Sequence, residues 1–162
     1  MDTVDERADT VLKMIERYKN TVFRIAFAYC RNRSDADDIF QEVFLRYLKA
    51  KPEFSSEEHQ KAWFVRVTVN CCKKHFLSSW YRKTMPIDED ISFETAEQSD
   101  LFYAVMDLPV KYRIVVHLYY YEGYKIKQIA DMTRQKETTV ATQLQRARQL
   151  LKARLKEELI YG

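Results

Sequence analysis

The side chains best placed for chemistry in this 162-residue chain are ones that bind rather than react. Between Ala62 and Lys83 lie five bases (Arg66, Lys73, Lys74, Arg82, Lys83), no acid and a high density of apolar residues. At about 100° per residue, Phe64, Val67 and Cys71 fall on one flank of a helix, and Val65, Val69, Cys72 and Phe76 on another. One narrow polar strip is left, in which Arg66, Asn70 and Lys73 lie within about 60° of one another, with Trp63 and Trp80 at its edges. Two cations and an amide beside aromatics suit nucleic acid: the cations meet phosphates and the amide reads a base edge. A second such set closes the chain. From Arg134 to Lys156 there are seven bases and one acid, and Thr138, Thr142, Gln145 and Gln149, flanked by Thr139, Gln143, Arg146 and Lys152, lie opposite a buried stripe of Val140, Leu144, Ala147, Leu151 and Leu155. Gln and Arg on a helix can make paired hydrogen bonds to adenine and guanine edges in the major groove.

A third set is acidic. In the run IFQEVFLRYLK, Ile39, Phe40, Val43, Phe44, Tyr47 and Leu48 recur at helical spacing, and Asp38, Gln41, Glu42 and Leu45 are left on the opposite side. That face is either a solvated surface or a docking face for a basic partner. Catalysis finds no comparable footing, because no nucleophile, base and orienting group converge. His59, His75 and His117 lack Cys or His partners at ligand spacing, so no metal site and no cofactor are expected. The three cysteines, Cys30, Cys71 and Cys72, are odd in number and two are adjacent, which suits a reduced interior better than a disulfide framework.

These sets need helices to hold them. Two Gly and three Pro in the whole chain fall far below the usual share of about 12%, and neither turn-rich β folds nor glycine phosphate loops can be built from so few. The fold class is therefore all-α. A helix is predicted near residues 7–30, and a second opens at RNRSDADD, where Ser34 caps and Asp37 completes a capping box. Pro109 opens a later helix that ends before Gly123. A short helix over YKIKQIADM, a polar break TRQKE and a long helix from about Thr138 to Glu158 complete a helix-turn-helix.

The net charge of +3 hides a division. Residues 17–50 and 51–85 are net basic, residues 86–100 hold six acids and no base, and residues 101–162 are basic again. This reads as two small helical domains joined by an acidic linker that begins at Pro86. No apolar run approaches the roughly 18 residues of a membrane span, and the acidic start MDTVDERAD is unlike a signal peptide, so a cytoplasmic protein without membrane insertion is expected.

Residues in this order resemble bacterial sigma factors of the extracytoplasmic-function type, across nearly all of the chain. DADDIFQEVFLRYL is similar to the helix by which that family grips the clamp helices of RNA polymerase, AWFVRVTVNCCKK to its promoter-melting and minus-ten segment, and LPVKYRIVVHLYYYEGYKIKQIADM with TVATQLQRARQLLKARL to the domain that reads the minus-thirty-five element. The resemblance implies a two-domain initiation factor without catalysis of its own: residues 1–85 bind core polymerase and the minus-ten region, 86–100 connect, and 101–162 bind the minus-thirty-five element. It assigns Asp37, Asp38, Gln41 and Glu42 to polymerase. Arg66, Asn70, Lys73 and Lys74 go to the minus-ten region, Asn70 standing seven residues after the matching Trp63. Thr139, Thr142, Gln143, Gln145 and Arg146 go to the minus-thirty-five major groove. Core polymerase, promoter DNA and an anti-sigma factor are the implied partners, and Phe54 is a candidate for the loop that captures a minus-ten base.

One departure stands out. Family members often carry a small residue or glycine in the helix-turn-helix break, where this chain has Arg134, Gln135 and Lys136, which predicts either a reshaped turn or a locally less stable one. The residues alone leave two other readings open: a stand-alone helix-turn-helix regulator, which explains residues 101–162 but not the acidic helix face, and a sigma mimic that titrates an anti-sigma factor, which does not need the basic last helix.

Overall fold

The computed structural model describes residues 4–78 and 100–161. All regular structure among them is helical, and the chain divides into two compact units, Met1–Thr84 and Met85–Gly162.

The first unit is a three-helix bundle of α1 (Val4–Cys30), α2 (Arg33–Ala50) and α3 (Glu57–Ser78), with α1 packed on both others and α2 on α3. Val22, Ile25, Ile39, Val43, Phe64, Val65 and Val69 fill its centre, each 1% exposed or less. Tyr18 stacks on Phe64 at 4.5 Å between ring centroids, and its hydroxyl donates to Gln60 Oε1 at 2.8 Å, tying α1 to α3. The predicted cap at Ser34 lies two residues too late. Arg31 takes the left-handed conformation (φ 63°) and its N–H closes α1 on Phe27 O at 2.8 Å, so the chain turns at once and the extended Asn32 becomes the cap. Asn32 Oδ1 accepts from the Asp35 N–H at 2.9 Å and its Nδ2 donates to Asp35 Oδ2 at 2.8 Å. Asparagine is among the best N-caps, and Asp37, relieved of capping, stands exposed. Buried Asp35 also meets His75 Nε2 of α3 at 3.2 Å.

The second unit contains α4 (Asp100–Met106), α5 (Val110–Val116) running into a π-helical turn (His117–Tyr121), α6 (Ile126–Thr133) and α7 (Glu137–Tyr161). α7 packs on α4, α5 and α6, with Val115, Leu118, Ile129, Val140, Leu144 and Ala147 at the centre. Pro109 precedes α5, and the buried Arg113 donates to Leu108 O at 2.9 Å and Met106 O at 3.3 Å, closing the α4–α5 corner. Gly123 takes φ 75° just past the π turn, where the Tyr124 N–H bonds Leu118 O at 3.0 Å. Among the described residues no helix is long and apolar enough to cross a membrane. The acidic segment 86–99, together with Trp80, Arg82 and Lys83, lies outside the described residues.

Candidate polymerase and nucleic-acid interfaces

On α2 the buried stripe is Ala36, Ile39, Val43 and Tyr47. Asp37, Asp38 and Gln41 are exposed, and Glu42 is half-buried and pairs with Arg46 at 2.8 Å. Leu45 and Leu48 are 55% and 45% exposed. Leu48 therefore does not belong to the buried set that spacing predicted; it lies about 100° round the helix from Tyr47 and shares a face with Asp38, Gln41 and Leu45. An apolar seam edged by carboxylates and an amide is the pattern of a protein-docking surface, and charge on its rim sets partner choice and encounter rate.

On α3 the polar strip predicted from helix geometry is present. Phe64, Val65, Thr68, Val69, Cys71 and Cys72 are buried, whereas Arg66 and Lys74 are exposed and Asn70 and Lys73 are half-buried on the accessible side. Burial of the remaining faces fixes the helix, so the strip is presented from a rigid support. Trp63 is half-buried in an aromatic cluster, with ring centroids 5.0 Å from Phe64, 6.0 Å from Tyr47 and 6.0 Å from Phe54. Phe54 comes from the segment between α2 and α3 and also meets His59 edge-on at 5.5 Å. Ser56 caps α3, its Oγ accepting from the His59 N–H at 3.1 Å, and His59 Nδ1 accepts the Ser55 N–H at 3.2 Å. The strip and the Phe54 segment are thus linked through Trp63.

The cysteines are free and buried. Burial pushes the Cys71 thiol up to about 11 and the Cys72 thiol well above its ordinary value, so both stay protonated and unreactive at neutral pH. No group of three or more His, Cys, Asp or Glu among the described residues could hold a metal ion.

In the second unit, α6, the turn and α7 form a helix-turn-helix. The turn is not reshaped. Arg134 takes φ 55°, ψ 46°, the Gln135 N–H bonds Ala130 O at 2.9 Å and the Arg134 N–H bonds Asp131 O at 3.3 Å. This is the double closure that usually carries glycine, and a residue with a Cβ there costs roughly 1 kcal/mol. On α7, Thr139, Thr142, Gln145 and Arg146 are exposed as expected, over buried Val140, Leu144 and Ala147. Gln143 departs from the exposed face: it is 9% exposed and its Nε2 donates to Gln135 Oε1 at 2.7 Å.

Thr139, Thr142, Gln143 and Arg146 line a groove of about 310 Å³ with Thr138 and with Lys111 and Tyr112 of α5. The Arg146 guanidinium, with Lys111 beside it, holds the Tyr112 phenol below its ordinary range. Lys111 and Tyr112 were not legible as site residues, since only the packing of α5 on α7 brings them there. The groove offers two cations, three threonine hydroxyls and a phenol on a helix held at its back, which suits phosphate and base-edge contacts. Farther along, Arg148 Nε donates to Tyr120 OH at 2.7 Å.

A basic helix-turn-helix in one unit, and in the other a helical bundle with a cationic amide strip, are the features of a two-domain DNA-binding transcription factor. The sequence comparisons make the class specific. The Sigma-70 region 2 model matches residues 14–82 and the Sigma-70 region 4 model matches residues 100–151. RNA polymerase sigma factor SigV of Bacillus subtilis is 31% identical over 150 residues, covering 89% of this chain and 90% of that protein. ECF RNA polymerase sigma factor SigM of the same organism is 27% identical over 162 residues, with 89% and 94% covered. The sigma factor RpoE of Bartonella quintana, solved in complex with the anti-sigma factor NepR, has the same fold at a TM-score of 0.65 and 18% identity, covering 94% of this chain and 98% of that one. The chain belongs to the sigma-70 family, extracytoplasmic-function type. It directs RNA polymerase to specific promoters.

Proposed function

We propose that the two units divide promoter recognition as follows. Asp37, Asp38, Gln41 and Glu42, with Leu45 and Leu48 between them, dock on core polymerase. Arg66, Lys73 and Lys74 hold phosphates of the minus-ten region while Asn70 reads or traps a base there. Thr139, Thr142, Gln145 and Arg146, with Gln143 beneath them, meet the minus-thirty-five major groove. Residues 1–85 form the polymerase and minus-ten domain, 86–100 the acidic connector and 101–162 the minus-thirty-five domain. The connector's six acids and absence of bases suit a channel that otherwise accepts nucleic acid. The protein acts in the cytoplasm and performs no catalysis, the chemistry belonging to polymerase. A sigma factor of the same fold has been solved with an anti-sigma factor, and we assign this chain a partner of that kind.

The observation that carries the reading is the α3 strip. Arg66, Asn70, Lys73 and Lys74 form the accessible side of a helix whose other faces are largely buried, which presents two kinds of phosphate- and base-binding group, cations and an amide, on one surface. Weak contacts suffice in each domain, because a tethered second contact raises effective concentration. The test is Asn70→Ala. The variant should bind core polymerase as wild type does but lose promoter opening, read as permanganate reactivity of unpaired thymines around minus ten. Wild-type opening by the variant would remove Asn70 from the site.

A further inference from the structure

The helix-turn-helix lacks a glycine in its turn, yet it closes with the geometry that glycine usually supplies, at the left-handed Arg134. What compensates is a chain of side-chain hydrogen bonds from α6 through the turn to α7. Thr133 Oγ1 donates to Ile129 O at 2.7 Å. Gln135 Nε2 donates to Thr133 Oγ1 at 2.9 Å. Gln143 Nε2 donates to Gln135 Oε1 at 2.7 Å.

The direction of this relay is chemically determined. A threonine hydroxyl has one proton, and here the Ile129 carbonyl takes it, so Gln135 must face Thr133 with its NH₂ group. Its carbonyl then faces Gln143, which must answer with its own NH₂. Neither amide can flip without breaking a bond. Thr133 is 3% exposed and Gln143 9% exposed, with Gln135 half-buried between them, so water reaches these bonds only from the side of Gln135. The far end of the relay sits in the second turn of α7, four residues after Thr139 and three before Arg146, and all three line the groove shared with Tyr112.

We infer that Gln135, a turn residue, is a positioning residue for minus-thirty-five recognition: through Thr133 and Gln143 it fixes the angle and rotation at which α7 is presented to DNA. This rests on the proposed function of α7 as the helix that enters the major groove. The turn's backbone sets where α6 stops, and the relay sets how α7 departs. A residue that has no need to touch DNA thereby controls how Thr139, Thr142 and Arg146 meet base edges.

The experiment is transcription by reconstituted holoenzyme from a promoter library randomised in the minus-thirty-five element, with full-length protein. Wild type, Gln135→Ala, Gln143→Ala, the double variant, Thr133→Val, Thr133→Ser and Gln135→Ala with Arg134→Gly are compared, with Arg146→Ala as the direct-contact control. Loss of one part-buried neutral hydrogen bond predicts a roughly two- to tenfold fall in output from the promoters wild type prefers. Gln135→Ala, Gln143→Ala and Thr133→Val should shift base preference at the same positions, and the double variant should be no worse than the poorer single. Thr133→Ser, which keeps the hydroxyl, should retain the wild-type preference. Arg134→Gly relieves the left-handed strain, so it should return the thermal midpoint lost in Gln135→Ala without returning the preference.

Two results would overturn the inference: unchanged base preference in Gln135→Ala while Arg146→Ala changes it, or recovery of the preference with Arg134→Gly. The first leaves the assignment of α7 intact, and the second reduces the relay to stability alone. If wild type gave no promoter-dependent transcript, or Arg146→Ala left every promoter unaffected, the reading of α7 itself would fall and the inference with it.

Discussion

The apolar seam on α2 gives the polymerase-docking assignment a measurable size. Leu45 and Leu48 are 55% and 45% exposed, so together they present about as much surface as one whole leucine side chain. Burying a leucine fully is worth about 1.5–3 kcal/mol. Alanine keeps the Cβ, so Leu45→Ala with Leu48→Ala should forfeit about 1–2 kcal/mol of binding, which is roughly a 5- to 30-fold rise in Kd. The assay is equilibrium titration of labelled protein with purified core polymerase. Fold stability should change by no more than about 0.5 kcal/mol, because both side chains already face solvent and alanine favours helix. The leucine effect should also persist at raised salt, whereas contributions from Asp37 and Asp38 should fade as ions screen them. A Kd within twofold of wild type, with the fold intact, would refute the docking role of this seam.

Two further outcomes concern the first domain. Asn32→Ala removes the α2 cap and one partner of the buried Asp35 carboxylate, and should cost about 1–3 kcal/mol in urea unfolding; a loss below about 0.5 kcal/mol would contradict the cap's importance. The Cys71 thiol, raised from 9.0 to about 11 by burial, favours the fold while protonated. Its contribution, on the order of 2 kcal/mol, is complete below pH 9 and is lost as pH rises through 11, so unfolding free energy should fall across that window and native protein should resist thiol alkylation at pH 8. Alkylation of the native protein at the rate of a free thiol would contradict it.

The α3 strip was legible in the sequence because between Arg66 and Lys74 only one direction round that helix lacks apolar residues, and the structure keeps Arg66, Asn70, Lys73 and Lys74 on that side. The buried stripe of α7 was legible for the same reason, at least through Val140, Leu144 and Ala147. Positions at the margin of a stripe were not. Leu48 and Gln143 each lie close enough to the buried face that periodicity alone cannot say whether a neighbour covers them. For Gln143 the neighbour is Gln135, whose reach depends on the left-handed turn at Arg134. Asn32 and Ser34 both suit the α2 cap, and the way α1 ends at Arg31 decides between them. Lys111 and Tyr112 carry no signal of their own, and the π turn at His117–Tyr121 leaves none in the spacing of apolar residues.

The central claim is that both units act together to give polymerase its promoters. Run-off transcription with purified bacterial core polymerase and fragments of genomic DNA tests it most directly. Discrete transcripts should appear only when this protein is added, and substitutions in the α2 face, the α3 strip or the α7 face should each reduce them. Failure to bind core polymerase, together with the absence of any new transcript, would contradict it.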